Sequence, residues 1–327
     1  MRLTCFPLYA ALIAFPLLGD TISYTGVNAQ QQFTINTSGI YQIIAFGAAG
    51  GSDLAAPGGE GAEIGGDFSL TQGETLDLYI GQQGGANTIA TLPVGGGGGG
   101  GTFVALDLNG NPNTLLLAAG GGGGTGGSGG RTLNGINANL TGFGTSDTVG
   151  VLPGGSNGSG GAALPAIFGG GAGGGYLSAG GSSMAAFGGA AFPILTGGIF
   201  IIVGPSQGAG GYGGGGAGGF GNFGNQGPSG ESGGGGGGYS GGAGGSLTDA
   251  GGGGGSYIDT AAASNLIELV NSTGNGEVIV DLISPASAVP EPASLVLFGL
   301  GLIALSLRLR HRAAARVRCS SLMRRPC

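Results

Sequence analysis

The chain has 327 residues, of which 86 are glycine, and it carries a formal net charge of −7 at pH 7 with 8% charged residues. Arg2 and Arg131 are the only basic side chains before residue 308. A body this poor in cations cannot release the counterions of a polyanion, so we expect no nucleic-acid partner. A hydrophobic fraction of 40% favours a folded chain over the alternative of disorder, which combines low hydrophobicity with high net charge.

The N-terminal segment is typical of a secretory signal peptide. Arg2 provides a short charged start, and residues 3–18 follow without a charge. Small residues at 27–29 offer a cleavage site, but a cut there would remove residues 21–26, which have the composition of a first strand. We therefore predict a signal peptide over residues 1–20, cut near its end.

Short apolar segments with the length and composition of β-strands recur along the body. The clearest are 41–46, 75–80, 102–106, 115–118 and 277–282. Leu76, Leu78 and Ile80 alternate with Asp77 and Tyr79, which predicts one buried and one solvent-exposed face. Residues 261–270 are the only candidate for a short helix, and their second half could equally be a strand.

Nearly pure glycine tracts alternate with these strands. They are 95–101, 120–124, 233–238 and 251–255, with looser glycine-rich sequence over 154–230. The every-third-residue period of collagen is missing. Flexible linkers are one interpretation, but linkers are usually rich in serine and polar residues. The other is a bundle of extended polyglycine II helices, with three residues per turn and about 3.1 Å rise, in which only glycine allows close lateral hydrogen bonding.

Short segments of the body occur in an order that is similar to that of a known module. They are Ser23–Gly26, Gln32–Ile35, Ser38–Tyr41, Ala45–Gly51, Phe68–Leu76, Ile80–Gly84, the 95–101 run with Thr102–Val104, Leu116–Gly120, Gly255–Tyr257 and Glu277–Leu282. This order resembles the glycine-rich extracellular domain of the anaplastic lymphoma kinase and leukocyte tyrosine kinase receptors. The resemblance implies a mainly β fold, a β-sandwich-like scaffold from which glycine helices project as a bundle. Residues 191–203 interrupt the pattern as a hydrophobic insertion without an evident role.

The body lacks the side chains that most enzyme mechanisms need. The single histidine is His311, the three cysteines are Cys5, Cys319 and Cys327, and lysine is absent. Ser-His-Asp, Cys-His, P-loop and Schiff-base chemistry are therefore excluded from the body. We predict a protein that is not an enzyme and that uses no cofactor and no metal.

Two sets of residues leave alternatives open. A glycosidase-type acid pair or a loose calcium site could come from the acids Glu60, Glu63, Asp67, Glu74 and Asp77, although we expect these to be solvated. Tyrosines could stack on the sugars of an extracellular polysaccharide or complete a core, and they are Tyr24, Tyr41, Tyr79, Tyr176, Tyr212, Tyr239 and Tyr257.

The C-terminal region has three parts in a fixed order. They are the acid between two prolines (Pro290, Glu291, Pro292), the uncharged run 293–307 and the arginines Arg308, Arg310 and Arg312. The prolines force an extended backbone around the acid. The run predicts a transmembrane helix of about 22 Å, which reaches across the bilayer of roughly 30 Å if the arginines snorkel and the bilayer thins. The positive-inside rule places residues 313–327 in the cytoplasm and the body outside.

This order resembles the PEP-CTERM sorting signal of bacterial exported proteins. The resemblance implies that an exosortase-type processing enzyme recognises residues 290–312 after the secretion machinery has exported the body. An ordinary C-terminal membrane anchor is the alternative interpretation.

The predicted organisation is a signal peptide (1–20), a glycine-rich extracellular domain (21–283), a linker (284–289), the sorting signal (290–312) and a cytoplasmic tail (313–327). We predict an exported structural or adhesive protein of the cell surface or extracellular matrix. It would pass through an inner-membrane intermediate with its body in the periplasm, and exopolysaccharide is a further partner that the resemblance implies. The alternative functions are a membrane-anchored ectodomain that binds a ligand or glycan, and a hydrolase built on an acid pair.

Overall fold

The structure is a computed structural model, and it describes residues 20–23, 30–88, 94–108, 111–128, 131–201, 207–221 and 230–286. The chain divides into two compact units, Met1–Pro285 and Ala286–Cys327. Apart from Ala286, the second unit lies outside the described residues, and so does the predicted transmembrane helix over 293–307. None of the described residues form a helix that could cross a membrane.

The described part of the chain is mainly β, with no helix. Its strands are β1 (Asp20–Ser23), β2 (Gln31–Thr34), β3 (Gly39–Phe46), β4 (Gly61–Leu70), β5 (Thr75–Tyr79), β6 (Thr102–Leu108), β7 (Asn111–Ala119), β8 (Gly126–Ser128), β9 (Arg131–Leu133), β10 (Gly219–Gly221), β11 (Gly230–Ser232), β12 (Tyr257–Ile258), β13 (Ala263–Ser272) and β14 (Glu277–Pro285). The candidate helix over 261–270 is therefore wrong, because these residues form β13 and pair with β4.

The strands form three antiparallel sheets. The first sheet has the order β1-β14-β3-β4-β13 and the second has the order β12-β7-β6-β5-β2. A small third sheet has the order β10-β11-β8-β9. The turn between β13 and β14 passes through Gly274, whose φ of 85° is a left-handed conformation that favours glycine. The connection crosses β4 and β3, so that β13 lies at one edge of the first sheet and β14 lies between β1 and β3.

One hydrophobic core joins the first and second sheets. Its buried side chains come from both of them and include Tyr41, Ile43, Ile64, Phe68, Val278 and Val280 of the first sheet and Leu76, Leu78, Val104 and Leu117 of the second. Alternate residues of a strand point to the same face, so the two sheets face each other across this core. The inward orientation predicted for Leu76 and Leu78 is confirmed, since both are fully buried.

The opposite face of the second sheet is also buried, which the sequence did not predict. Tyr79 is only 5% exposed and Asp77 only 3%. A second hydrophobic cluster covers this face, and Phe192 and Leu195 of the 191–203 insertion belong to it. The alternation in β5 was therefore misleading, because a segment more than a hundred residues later supplies a second apolar layer.

The glycine tracts pack side by side through backbone hydrogen bonds, as the tract 95–101 illustrates. The N–H groups of Gly95, Gly98 and Gly101 donate to the carbonyls of Gly219, Gly216 and Gly213 at 3.1, 2.8 and 2.9 Å. Residues three apart in one tract therefore bond to residues three apart in its neighbour. That spacing is the signature of three residues per turn.

Taken together, the backbone groups of this tract bond to several neighbouring segments. Its N–H groups donate to three segments, which are 213–219, 82–85 and 122–125. Its carbonyl groups accept from three further places, which are the segments 48–51 and 234–237 and the N–H of Gly211. The tract is buried on all sides and is not a linker.

Close lateral packing explains why these positions are glycine. A methyl group added at Gly96, Gly97 or Gly98 would overlap the carbonyl oxygen of Gly51, Ala209 or Gly235, respectively. Any larger side chain would push the segments apart and break the lateral hydrogen bonds. The composition is thus a steric requirement of this packing.

Candidate functional site

The residues of the predicted sorting signal lie outside the described residues. They are Pro290, Glu291, Pro292, Arg308, Arg310 and Arg312. Structural candidates for binding or chemistry must therefore be sought in the body. Four features of the body bear on function: the acids singled out in the sequence, a carboxyl pair, an aromatic row and a polar cavity.

Of the acids singled out in the sequence, Glu63 and Asp67 lie too far apart to act as a glycosidase pair. Glu63 and Asp67 share the outer face of β4, but four residues of a strand separate them by about 13 Å, beyond the roughly 5–9.5 Å of a glycosidase pair. Glu74 lies in the turn before β5 and accepts a hydrogen bond from the N–H of Thr71 at 2.7 Å. Among the described residues, no cluster of three or more acids, histidines or cysteines could hold a metal.

Two of these acids are not solvated, which corrects that expectation. Asp67 is 8% exposed, and its Oδ2 accepts a 2.6 Å hydrogen bond from Nδ2 of Asn265. Asp77 accepts a 2.9 Å hydrogen bond from Nε2 of Gln32. Both acids are thus packed against neighbouring strands and serve the fold.

A carboxyl pair that the sequence analysis missed joins Asp53 to Glu231 of β11. Burial raises the pKa of Glu231 to about 7, with further contributions from the charge of Asp53 and from a hydrogen bond between the two side chains. Oδ1 of Asp53 already accepts the N–H groups of Ala55 and Ala56, at 2.7 and 2.6 Å. A protonated Glu231 can therefore donate to Oδ2, which is buried. No local signal marks this pair, because the two residues are far apart in the sequence.

The tyrosines divide into a buried group and a stacked row. Tyr41, Tyr79 and Tyr212 are buried, and Tyr24 lies outside the described residues. Tyr239 stacks on both Tyr176 and Tyr257, with ring centroids 6.2 and 4.7 Å apart. All three rings are partly buried and pack against the second hydrophobic cluster. For these residues, completion of a core is the better interpretation.

A polar cavity of about 370 Å³ opens where the glycine region meets the first sheet. Its lining contains Ser52, Glu60, Gln83, Asn134, Asn137 and Thr273, together with glycine backbone and the small apolar residues Ala49 and Pro57. Glu60 and Asn137 hold each other in place. The N–H of Glu60 donates to Oδ1 of Asn137 at 2.9 Å, and Nδ2 of Asn137 donates to Oε2 of Glu60 at 3.3 Å.

Of the residues that line this cavity, only Glu60 is among the candidates that the sequence indicates. The other polar residues come from separate loops, and asparagines and glutamines in loops carry no pattern that would single them out. Gly274 and Thr273 reach the cavity through the β13–β14 turn, and Gln83 is held beside that turn by a 2.9 Å hydrogen bond from its N–H to Oδ1 of Asn275.

Comparison with known proteins identifies the C-terminal region. Residues 288–312 match the model of the PEP-CTERM protein-sorting motif. The motif indicates an exported protein that an exosortase-type enzyme sorts through a membrane-associated intermediate to the surface. The sequence prediction of a PEP-CTERM signal is thereby confirmed. No curated protein matches the chain.

Proposed function

We propose that this chain is an exported, non-enzymatic structural or adhesive protein of the cell envelope or extracellular matrix. The observation that carries the proposal is the PEP-CTERM motif over 288–312. In this proposal, the body stays in the periplasm while the 293–307 segment holds the chain in the inner membrane. Processing near Pro290, Glu291 and Pro292 then releases the body to the surface.

The composition of the body supports a role without catalysis. Residues 20–286 contain no histidine, lysine or cysteine. Of the acids considered for a hydrolase, Glu63 and Asp67 lie about 13 Å apart along β4, and Glu74 and Asp77 accept hydrogen bonds within the fold. A passive scaffold is consistent with this set of side chains.

The packing of the tracts supports a structural role. We infer that the tracts are polyglycine II helices and that the two facing sheets are the β-sandwich-like scaffold from which they project. The three-residue repeat of the lateral hydrogen bonds supports this assignment. The resemblance to the receptor ectodomains points to the same architecture. Such a body has few exposed charges and a dense hydrogen-bond network, which suits a long-lived extracellular component.

The test is the intact mass and cellular fraction of the mature protein in its own host, for the wild type and for Glu291→Ala. We expect the wild-type protein to end near Pro292 and to be found outside the cell. The variant should stay in the inner membrane at full C-terminal length, because its processing signal is lost. Glu268→Ala changes an acid of β13 and should be processed like the wild type.

A membrane-anchored ectodomain that binds a ligand or glycan is the second candidate, and the polar cavity is the observation that favours it. If the wild type and Glu291→Ala both remain in the membrane with Cys327 intact, the sorting proposal is wrong. The anchored ectodomain then becomes the better description.

A further inference from the structure

The lining of the polar cavity is selective in its chemistry. Six side chains with hydroxyl, amide or carboxylate groups reach it, and its apolar residues are small. Its volume of about 370 Å³ lies within the roughly 300–1,000 Å³ of small-molecule sites. Ser52 and Glu60 are half-buried and the other four polar side chains are exposed. An apolar ligand would cover these groups without offering them hydrogen bonds, which disfavours such a ligand.

The charge of the lining further restricts which ligands the cavity can bind. Glu60 is the only ionisable residue among the lining residues, and no cation lies with it. An anion would be repelled by this carboxylate and would find no cationic side chain in the lining. An ammonium ion would use the acceptors but would leave the amide N–H groups of Gln83 and Asn134 without an acceptor from the ligand, because an ammonium group only donates.

A neutral polyol satisfies both kinds of group. Each hydroxyl donates one hydrogen bond and accepts others, which matches side-chain amides that carry a donor and an acceptor together. The carboxylate of Glu60 adds a charge-assisted acceptor, which is roughly twice as strong as a neutral one. The mutual hydrogen bonds of Glu60 and Asn137 fix the direction of both groups before a ligand arrives.

The floor of the cavity is held in place by the glycine region. The N–H of Gly50 donates to the carbonyl of Gly59 at 2.9 Å, and the N–H of Gly135 donates to the carbonyl of Pro57 at 3.1 Å. Gly59 is bonded in turn to Gly123 at 2.8 Å. A site built on such a network loses little conformational freedom when it binds, so its polar groups contribute their hydrogen bonds at low entropic cost.

We propose that this cavity binds a neutral sugar unit of an oligosaccharide or polysaccharide, with Glu60 and Asn137 as its central contacts. The inference deepens the adhesive role and rests on that part of the proposed function. The partner is then a molecule that carries many hydroxyl groups and no net charge.

The experiment is saturation-transfer NMR on the full chain, kept in a detergent without a sugar headgroup. The probes are glucose, galactose, mannose and their disaccharides, with glucuronic acid as the anionic comparison. We expect transfer to at least one neutral sugar and none to glucuronic acid. Glu60→Gln should weaken that binding about tenfold, because it replaces a charge-assisted hydrogen bond by a neutral one. The matched control Glu63→Gln, on the outer face of β4, should bind as the wild type does.

Three results would overturn the inference: no transfer to any neutral sugar, equal transfer to glucuronic acid, or unchanged affinity in Glu60→Gln. Asn134→Ala gives a second variant and should also lose affinity. Glu291→Ala, which tests sorting, should bind sugar as tightly as the wild type. Failure of sugar binding and failure of sorting are therefore separate outcomes.

Discussion

At the scale of single residues, the Asp53 and Glu231 pair shows how the fold creates chemistry that neither residue has alone. Burial makes the charged form of Glu231 unfavourable, and the nearby carboxyl of Asp53 adds to this effect. The result is a carboxyl group whose pKa lies at about 7. Asn87 also contacts it, with Nδ2 at 3.4 Å from Oε1.

The raised pKa predicts a specific dependence of stability on pH. The pKa of Glu231 rises from 4.5 to about 7 on folding, so the protonated contact stabilises the protein fully below pH 4.5. That contribution is lost as the pH rises through about 7. Glu231→Gln keeps a neutral donor next to Asp53 and should remove this part of the pH dependence. Thermal unfolding midpoints between pH 4 and pH 8 measure the effect.

A control separates this pair from the general acidity of the chain. Glu268→Gln changes an acid of β13, which belongs to a different sheet, and should leave the wild-type profile unchanged. A Glu231→Gln profile that still declines between pH 4.5 and pH 7 would show that other groups are responsible.

At the scale of elements, the glycine tracts behave as packed secondary structure. In a tract such as 95–101, the N–H groups donate to three neighbouring segments and the carbonyl groups accept from three others. A side chain at each of these glycines would overlap the backbone of a neighbouring segment, so the tracts tolerate substitution poorly. Exposed loop glycines are under no such restriction.

This difference predicts a large loss of stability for one alanine substitution and little change for another. In Gly98→Ala the new methyl group would overlap the carbonyl of Gly235, and the free energy of unfolding should fall by about 3 kcal/mol or more. In Gly142→Ala the nearest atoms belong to the Tyr239 ring at 3.6 Å, an ordinary contact. That variant should stay within about 1 kcal/mol of the wild type. Denaturant unfolding of both variants makes the comparison, and equal stabilities would argue against steric packing of the tracts.

At the scale of the whole molecule, the 191–203 insertion completes the fold. Phe192 lies against Tyr79, Phe103 and Tyr176, with ring centroids 4.9, 5.5 and 5.0 Å away. Leu195 is fully buried in the same cluster. The insertion therefore gives the second sheet an apolar layer on its outer side, and it connects that sheet to the glycine region.

Removal of the central ring should weaken this connection. Phe192→Ala is expected to cost about 3 kcal/mol of stability and to increase the exposure of Tyr79, seen as a loss of near-ultraviolet circular dichroism. Ile194→Ala is the matched control, because Ile194 lies in the same segment but is 68% exposed. It should change the stability by less than about 0.5 kcal/mol. Similar losses in both variants would mean that the insertion does not pack through Phe192.

Much of the fold was predictable where the signal is local. The strands around 41–46, 75–80, 102–106, 115–118 and 277–282 follow from β-branched and aromatic residues between turns, and all five lie in or overlap strands of the structure. Residues 261–270 were ambiguous because their apolar spacing fits a helix and a strand alike. In the structure these residues pair with β4 and therefore form a strand.

The sequence by itself determined the PEP-CTERM signal, because that signal is a linear pattern read in order along the chain. It also indicated the mainly β class, but it left flexible linkers and packed polyglycine II helices open as interpretations of the glycine tracts. The tertiary structure alone decided the burial of Asp77, the proton held by Glu231 and the shape of the polar cavity. Each of these depends on segments that are distant in the sequence and become neighbours only when the chain folds.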